Sequence, residues 1–227
     1  MLLNRNSIYL YIRLTYTFIC GFLMALLAGC SNGSAPATNL PILGPSKVIR
    51  IVENGHNKDS LIAHHVPQFQ LTNQYQKEFG SINLKGKIYI TEFFFTSCPS
   101  VCPKVAKQME AIHRELSEEE DFALVSITLD GKRDSPEKLY DFAQNKDVNH
   151  SNWYFLNGNR DEVMNLAWDG FFVATYEDES LKDDNIMHKG TIVLIDQKGQ
   201  VRGMYDGKDT EAVQQVKQDV ERLLKEV

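Results

Sequence analysis

Cysteine is scarce in this chain, four among 227 residues, and proline is absent after Pro136. No segment repeats at a fixed period, which excludes solenoid and propeller arrays. Positive charge is in deficit: 24 Lys and Arg face 30 Asp and Glu, a formal net charge of −6. That excludes a broadly basic surface, and a nucleic-acid partner with it. The one long apolar run, Leu14 to Gly29, is 16 residues, short of the ~20 that a spanning helix needs. What remains is ordinary for a globular protein with a real core: 43% apolar and 24% charged residues. The length suits one domain with extra segments.

The N-terminal segment reads as a targeting signal. Arg5 and Arg13 are its only charges up to residue 29, and the apolar run that follows ends in "LLAGC", Leu26 to Cys30. A basic start, a short apolar core and small residues before a cysteine resemble a bacterial lipoprotein signal. That resemblance implies a signal peptide over 1–29, cleavage before Cys30 and lipidation of Cys30. The remainder is then exported and held on the cell-envelope membrane, facing the periplasm or the cell exterior. The alternative is an uncleaved anchor helix with an incidental cysteine. Loss of the two arginines takes the formal charge to −8. Cys20 leaves with the signal and Cys30 carries lipid, so Cys98 and Cys102 are the only thiols left, in a compartment that permits disulfides.

Residues 30–46 are rich in Ser, Asn, Gly and Pro and read as a flexible tether, with a globular domain over 47–227. "QFQLT" (Gln68–Thr72) alternates as an edge strand. "KIYITEFFF" (Lys87–Phe95) and "FALVSITL" (Phe122–Leu129) are buried strands. Val105, Met109, Ile112 and Leu116 fall on one face of a helix after the cysteines. "DSPEKLYDFAQN" opens a helix with Ser135 ahead of Pro136. Trp153–Asn157 is a short strand and Arg160–Trp168 a short helix. Thr191–Asp196 and Gln200–Tyr205 flank the turn "QKG", and a last helix shows Val213, Val216, Val220, Leu223 and Leu224 on one face. Strands alternating with helices predict an α/β fold with a parallel core, helices on both faces and an antiparallel terminal hairpin: a mixed central sheet flanked by helices. A cysteine pair where the first central strand meets its helix matches the thioredoxin-like arrangement.

The pair is Cys98-Pro-Ser-Val-Cys102, one residue longer than the Cys-x-x-Cys of thioredoxin-type oxidoreductases. Four-residue spacing at a helix start puts both sulfurs on one side of the turn. That geometry serves a structural disulfide, a redox pair or two legs of a metal site, and a helix N-terminus favours thiolates in each. A structural disulfide is the weakest of these, because so short a loop gains little from closure. Thioredoxin-type enzymes carry a proline before the strand that faces the cysteines; here that loop reads "NIMHKGT", with His188 three residues ahead of the strand. Two thiolates and an imidazole suit Cu(I) well and Cu(II) acceptably.

"GKIYITEFFFTSCPSVCPKVAKQM", "LDGKRDSPEKLYDFA", "HKGTIVLIDQKGQVRGMYDG" and "HHVPQFQLTNQ" resemble the Sco/SenC family of copper-binding proteins, over a stretch from about Pro41 to the C-terminus. The resemblance implies a thioredoxin-like fold, copper held by Cys98, Cys102 and His188, and a part in building the copper A centre of cytochrome c oxidase, with subunit II or a similar copper-receiving protein as partner. Lys189 stands where the family often has serine or threonine after the histidine, and family members are often held by a helix rather than by lipid. A membrane-tethered thiol–disulfide oxidoreductase, with Cys98 attacking and Cys102 resolving, is the alternative. A peroxide-reducing enzyme lacks its surrounding pattern.

The other candidates are weaker. Asp130 and Asp134 end a strand and precede a helix, where α/β sites gather; both could tune the site from behind the ligands, and Asp134 could equally be a helix cap. His64 and His65, read as strand neighbours, diverge to opposite faces. His56, His113 and His150 read as solvated. Met187 could be a weak axial sulfur ligand, and simple packing or exposure is the plainer reading. The acidic run Tyr176–Asn185 reads as a solvated loop.

Overall fold

The structure, a computed structural model, describes residues 39–53, 56–98, 102–146, 152–177 and 186–226, with the backbone alone for Glu53, Cys102, Tyr176, Glu177 and Ile186–His188. The segment 1–29 read as a signal, Cys30 and His150 lie outside the described residues.

A hydrophobic run with no polar face can only be satisfied from both sides, and the two central strands are such runs. Every residue of β5 (Ile88–Phe94) and β6 (Phe122–Thr128) is buried. Strand alternation divides them between two cores. Tyr89, Phe93, Val125 and Ile127 enter one, with Leu156, Phe171 and Val193. Ile88, Ile90, Phe94 and Leu124 enter the other, with Val105, Met109, Trp153 and Val216. The second core lies under α2 (Cys102–Leu116), α3 (Pro136–Gln144) and α5 (Thr210–Lys225). The first is closed by α1 (Ser81–Leu84), α4 (Arg160–Asn165) and the π-turn Leu166–Gly170 that continues it.

The seven-stranded sheet has the order β11-β10-β5-β6-β7-β3-β4. Its parallel core is β5, β6 and β7 (Trp153–Asn157). On one side β10 (Thr191–Ile195) runs antiparallel to β5, and β11 (Val201–Asp206) returns beside it. On the other, β3 (Gln70–Asn73) pairs with β7, and β4 (Glu78–Gly80) forms the edge. The predicted edge strand is therefore one place inside the edge: a three-residue strand shields it. Two small hairpins stand outside this sheet, β1 (Lys47–Glu53) with β2 (His56–Ile62) and β8 (Thr175–Glu177) with β9 (Ile186–His188).

Part of the range read as tether is packed. Leu43 N–H donates to Val201 O at 2.8 Å, and Arg202, itself buried, donates to Leu40 O at 2.7 Å and Pro41 O at 3.2 Å while pairing with Asp196 at 2.8 Å. His113 is buried rather than solvated: its Nε2 meets Asn152 Oδ1 at 2.7 Å and its ring lies on Trp153, 5.5 Å between centroids. Four residues before it lies Met109 and three after it Leu116, both buried, so its helix face is set by apolar neighbours that a count of charges does not reveal.

Candidate metal centre

Three segments end at one end of the sheet. β5 exits at Phe94 and its chain reaches Cys98 four residues on; the Cys98 N–H donates to Phe95 O at 3.2 Å, which turns the backbone there. Cys98 is half-buried and packs against both cores, where the end of the sheet no longer separates them. α2 begins at Cys102, so the positive end of its dipole is at the cysteine pair. Pro103 in the first turn costs no helical bond there.

His188 ends β9. From there Lys189 and Gly190, at φ +69°, lead into β10. The register brings the two together: Ile192 pairs with Glu92 and Ile195 with Tyr89, antiparallel. The start of β10 therefore lies beside the end of β5. Gly207 N–H donates to Gly190 O at 2.9 Å and fixes that entry from the β11 side. The side chains of Cys102, Met187 and His188 fall outside what is described, and their placement is that of their backbone.

Asp134 holds the cysteine loop from behind. It is fully buried, and four donors converge on its carboxylate: the Thr96 N–H at 2.8 Å, the Thr96 hydroxyl at 2.5 Å, the Thr128 hydroxyl at 2.7 Å and Lys138 Nζ at 3.1 Å. It thus ties the exit of β5 to the exit of β6 and to α3, two residues from Cys98. The helix cap is Ser135, whose hydroxyl accepts from Lys138 N–H at 3.4 Å; the capping reading of Asp134 is replaced by this hub. Asn157 Nδ2 buttresses the same loop by donating to Gly131 O at 2.8 Å and Asp134 O at 2.6 Å.

Asp130 is buried as well, with Arg133 Nε 2.6 Å from its Oδ2 and the Arg133 N–H 3.3 Å from its Oδ1. Its charge is matched by that arginine, so any influence on the cysteines passes through the loop that the two residues share. His64 and His65 stand in an irregular segment rather than a strand. His64 donates from Nε2 to Gly170 O at 2.9 Å, and His65 contacts Ala63 O and Gln200. His56 is exposed in β2. His64 and His65 are thus engaged elsewhere, at Gly170 and at Gln200.

The sequence reading passed over Thr96, Asn157 and Trp168. Thr96 looks like the tail of a β-branched strand, and only the convergence on Asp134 sets it apart. Trp168 reads as the last apolar residue of a helix, yet it is exposed and its indole N–H is engaged.

Three solved structures share this arrangement of strands and helices. A SCO1/SenC family lipoprotein from Bacillus anthracis is 31% identical, with a TM-score of 0.65 over 70% of this chain and 95% of that one. BsSco, a member of the Sco family of cytochrome c oxidase assembly proteins in which a disulfide switch has been identified, is 27% identical, TM-score 0.59, over 69% and 94%. Yeast Sco1 with copper bound is 26% identical, TM-score 0.56, over 69% and 88%. The SCO1/SenC family model matches residues 57–225, from β2 through α5, and the chain belongs to that family.

Proposed function

We propose that this chain is a copper metallochaperone that holds copper through the Cys98 and Cys102 thiolates and the His188 imidazole and passes it to the copper A centre of cytochrome c oxidase. The observation that carries the reading is the antiparallel register of β5 and β10, which sets the chain leading to Cys98 beside the chain leaving His188. The donor set fits the cargo: thiolate sulfur satisfies Cu(I), and the imidazole adds the nitrogen that Cu(II) prefers. Relatives support it, since yeast Sco1 has been seen with copper bound and BsSco belongs to a family of oxidase assembly proteins. The chain's own work is to keep both thiols ionisable at a helix start, to hold Thr96 and so the cysteine loop through Asp134, and to bring in the histidine on a separate strand.

Copper titration of the reduced full-length protein in detergent tests this. One tightly held copper per chain is expected, with loss of that copper in Cys98→Ser and in Cys102→Ser. No copper uptake by a correctly folded, reduced protein would sink the reading.

A second reading, a thiol–disulfide oxidoreductase, is favoured by the half-buried Cys98 just ahead of a helix N-terminus. The Cys98 thiolate attacks a substrate disulfide to give a mixed disulfide. The Cys102 thiolate then displaces it, leaving a reduced substrate dithiol and an oxidised Cys98–Cys102 pair. The two roles are compatible, because copper A cysteines are loaded in the reduced state.

Anchoring belongs to the proposal too. The "LAGC" ending at Cys30, together with a lipoprotein relative in Bacillus anthracis, supports cleavage before Cys30 and a lipid anchor that presents the domain outside the cytoplasm. Cys30→Ser is expected to accumulate as an uncleaved precursor without lipid. A mutant that is still cut at the same bond and still labelled by fatty acid would remove the anchor from the account.

A further inference from the structure

The β8–β9 ladder that carries His188 is three residue pairs long and forms a sheet apart from the seven-stranded one. A two-stranded ribbon is marginal in water even when longer, so something else must hold it. Among the described residues, Trp168 supplies a contact that does so. Its indole Nε1–H donates to the Thr175 carbonyl at 2.8 Å and lies equally close to the Thr175 hydroxyl oxygen. Thr175 is 1% exposed, its hydroxyl reaches Met164 Sδ at 3.4 Å, and it is the register partner of His188.

Trp168 is itself 53% exposed. Core packing does not account for so large an apolar side chain in water, whereas the donated N–H does. The turn that presents it is fixed to the body of the protein. Phe171 N–H donates to Leu166 O at 3.1 Å, the wide bond of a π-turn, and Val173 N–H donates to Ala167 O at 2.8 Å. His64 binds the Gly170 carbonyl, and its ring lies 4.4 Å from that of Phe172, which adopts φ +57°. A π-turn and a left-handed phenylalanine are both uncommon, and such distortions recur where a side chain has to be aimed.

We propose that Trp168 is a positioning residue for the metal centre: its indole N–H locks β8 at Thr175 and, through the β8–β9 ladder, sets where the His188 backbone lies relative to the end of β5. The proposal rests on the reading of His188 as a ligand. Trp168 acts on the metal through that ladder, not as a ligand. Its effect is selective for Cu(II), which needs the nitrogen in place, and spares Cu(I), which two thiolates satisfy.

The test is Trp168→Phe in the full-length protein in detergent, which keeps the aromatic ring and removes the N–H. Without metal, backbone amide exchange in β8 and β9 speeds up roughly tenfold, the effect of losing a hydrogen bond or two. With copper, Cu(II) passes to a chelator roughly tenfold faster and its paramagnetic resonance spectrum changes. Cu(I) retention, Cys98–Cys102 disulfide formation and the melting temperature stay as in the parent. Unchanged exchange overturns the lock. Faster exchange with an unchanged Cu(II) spectrum, in a protein whose His188→Ala variant does change it, overturns the link from the lock to the metal. Parallel losses of Cu(I), Cu(II) and thermal stability reduce Trp168 to a general structural residue and also overturn the proposal. A His188→Ala variant with an unaltered Cu(II) spectrum overturns the three-ligand reading, and the proposal falls with it.

Discussion

Replacing His188 by alanine is expected to separate the two oxidation states of copper. Both thiols and the helix start that favours their ionisation remain, and Cu(I) accepts a two-coordinate dithiolate. Cu(II) loses its nitrogen donor. Changes merely behind a metal ligand cost 10–100-fold in affinity, so removal of the ligand is expected to cost on the order of 100-fold or more. The Cys98–Cys102 disulfide still forms. In cells a metallochaperone with this substitution fails to mature its oxidase, whereas a reductase still works. The measurements are Cu(II) absorption of the purified variant and oxidase activity in a strain that carries it. Normal activity with an unchanged Cu(II) spectrum would take His188 out of the site and leave the reductase as the better account.

Asp134→Ala has the largest expected effect on the fold itself. The substitution leaves a backbone N–H, two hydroxyls and an ammonium without the carboxylate on which they converge. Buried donors stranded in this way cost about 1–3 kcal/mol each, and loss of one partner of a buried ion pair about 3–5 kcal/mol. Lys138 is part-exposed and recovers water, so a net loss on the order of 3–5 kcal/mol is expected, a fall of roughly 10 °C in melting temperature for a domain of this size. Asp134→Asn fares little better, because one amide oxygen cannot serve four donors and the amide nitrogen meets donors of its own kind. Thermal denaturation followed by circular dichroism decides it. A melting temperature within 2 °C of the parent, in either variant, would mean that the hub does not hold the loop.

Much of this architecture could be read from the chain because local signals and packing agree. Trp153–Asn157 is a strand with the predicted bounds, and Ser135 caps the helix that begins at Pro136. The wholly buried strands β5 and β6 do lie between two helical layers. The misses have physical reasons. The edge strand Glu78–Gly80 is too short to show a period. The β1–β2 hairpin went unread although Asn54-Gly55 is a strong turn signal, because its strands alternate weakly and remain exposed. His113 was taken as solvated because its type is polar, whereas its partner, Asn152, comes from a loop distant in sequence. Cys98, Cys102 and His188 stood out because soft donors are rare in this chain. Asp134 stood out less, since its function depends on two threonines that only the fold brings to it. Trp168 gave no sign, because what distinguishes it is a hydrogen bond and not a pattern.

The arginine clamp on Leu40 and Pro41 bears on reach. Val201, beside it, pairs with Ile195, and Ile195 with Tyr89, so the clamp sits at the start of β5, away from Cys98. For the proposed anchor at Cys30, the chain from there to Leu40 is ten residues, which cover at most about 35 Å when fully extended. β5 adds about 20 Å between clamp and cysteines. On the proposed anchor and metal site, the domain would be a short arm, attached near the start of β5 and carrying its cargo at the other end of that strand. So anchored, the carrier would meet a recipient site within a few tens of ångströms of the membrane surface repeatedly without release, and would not reach one farther out however well the surfaces fit.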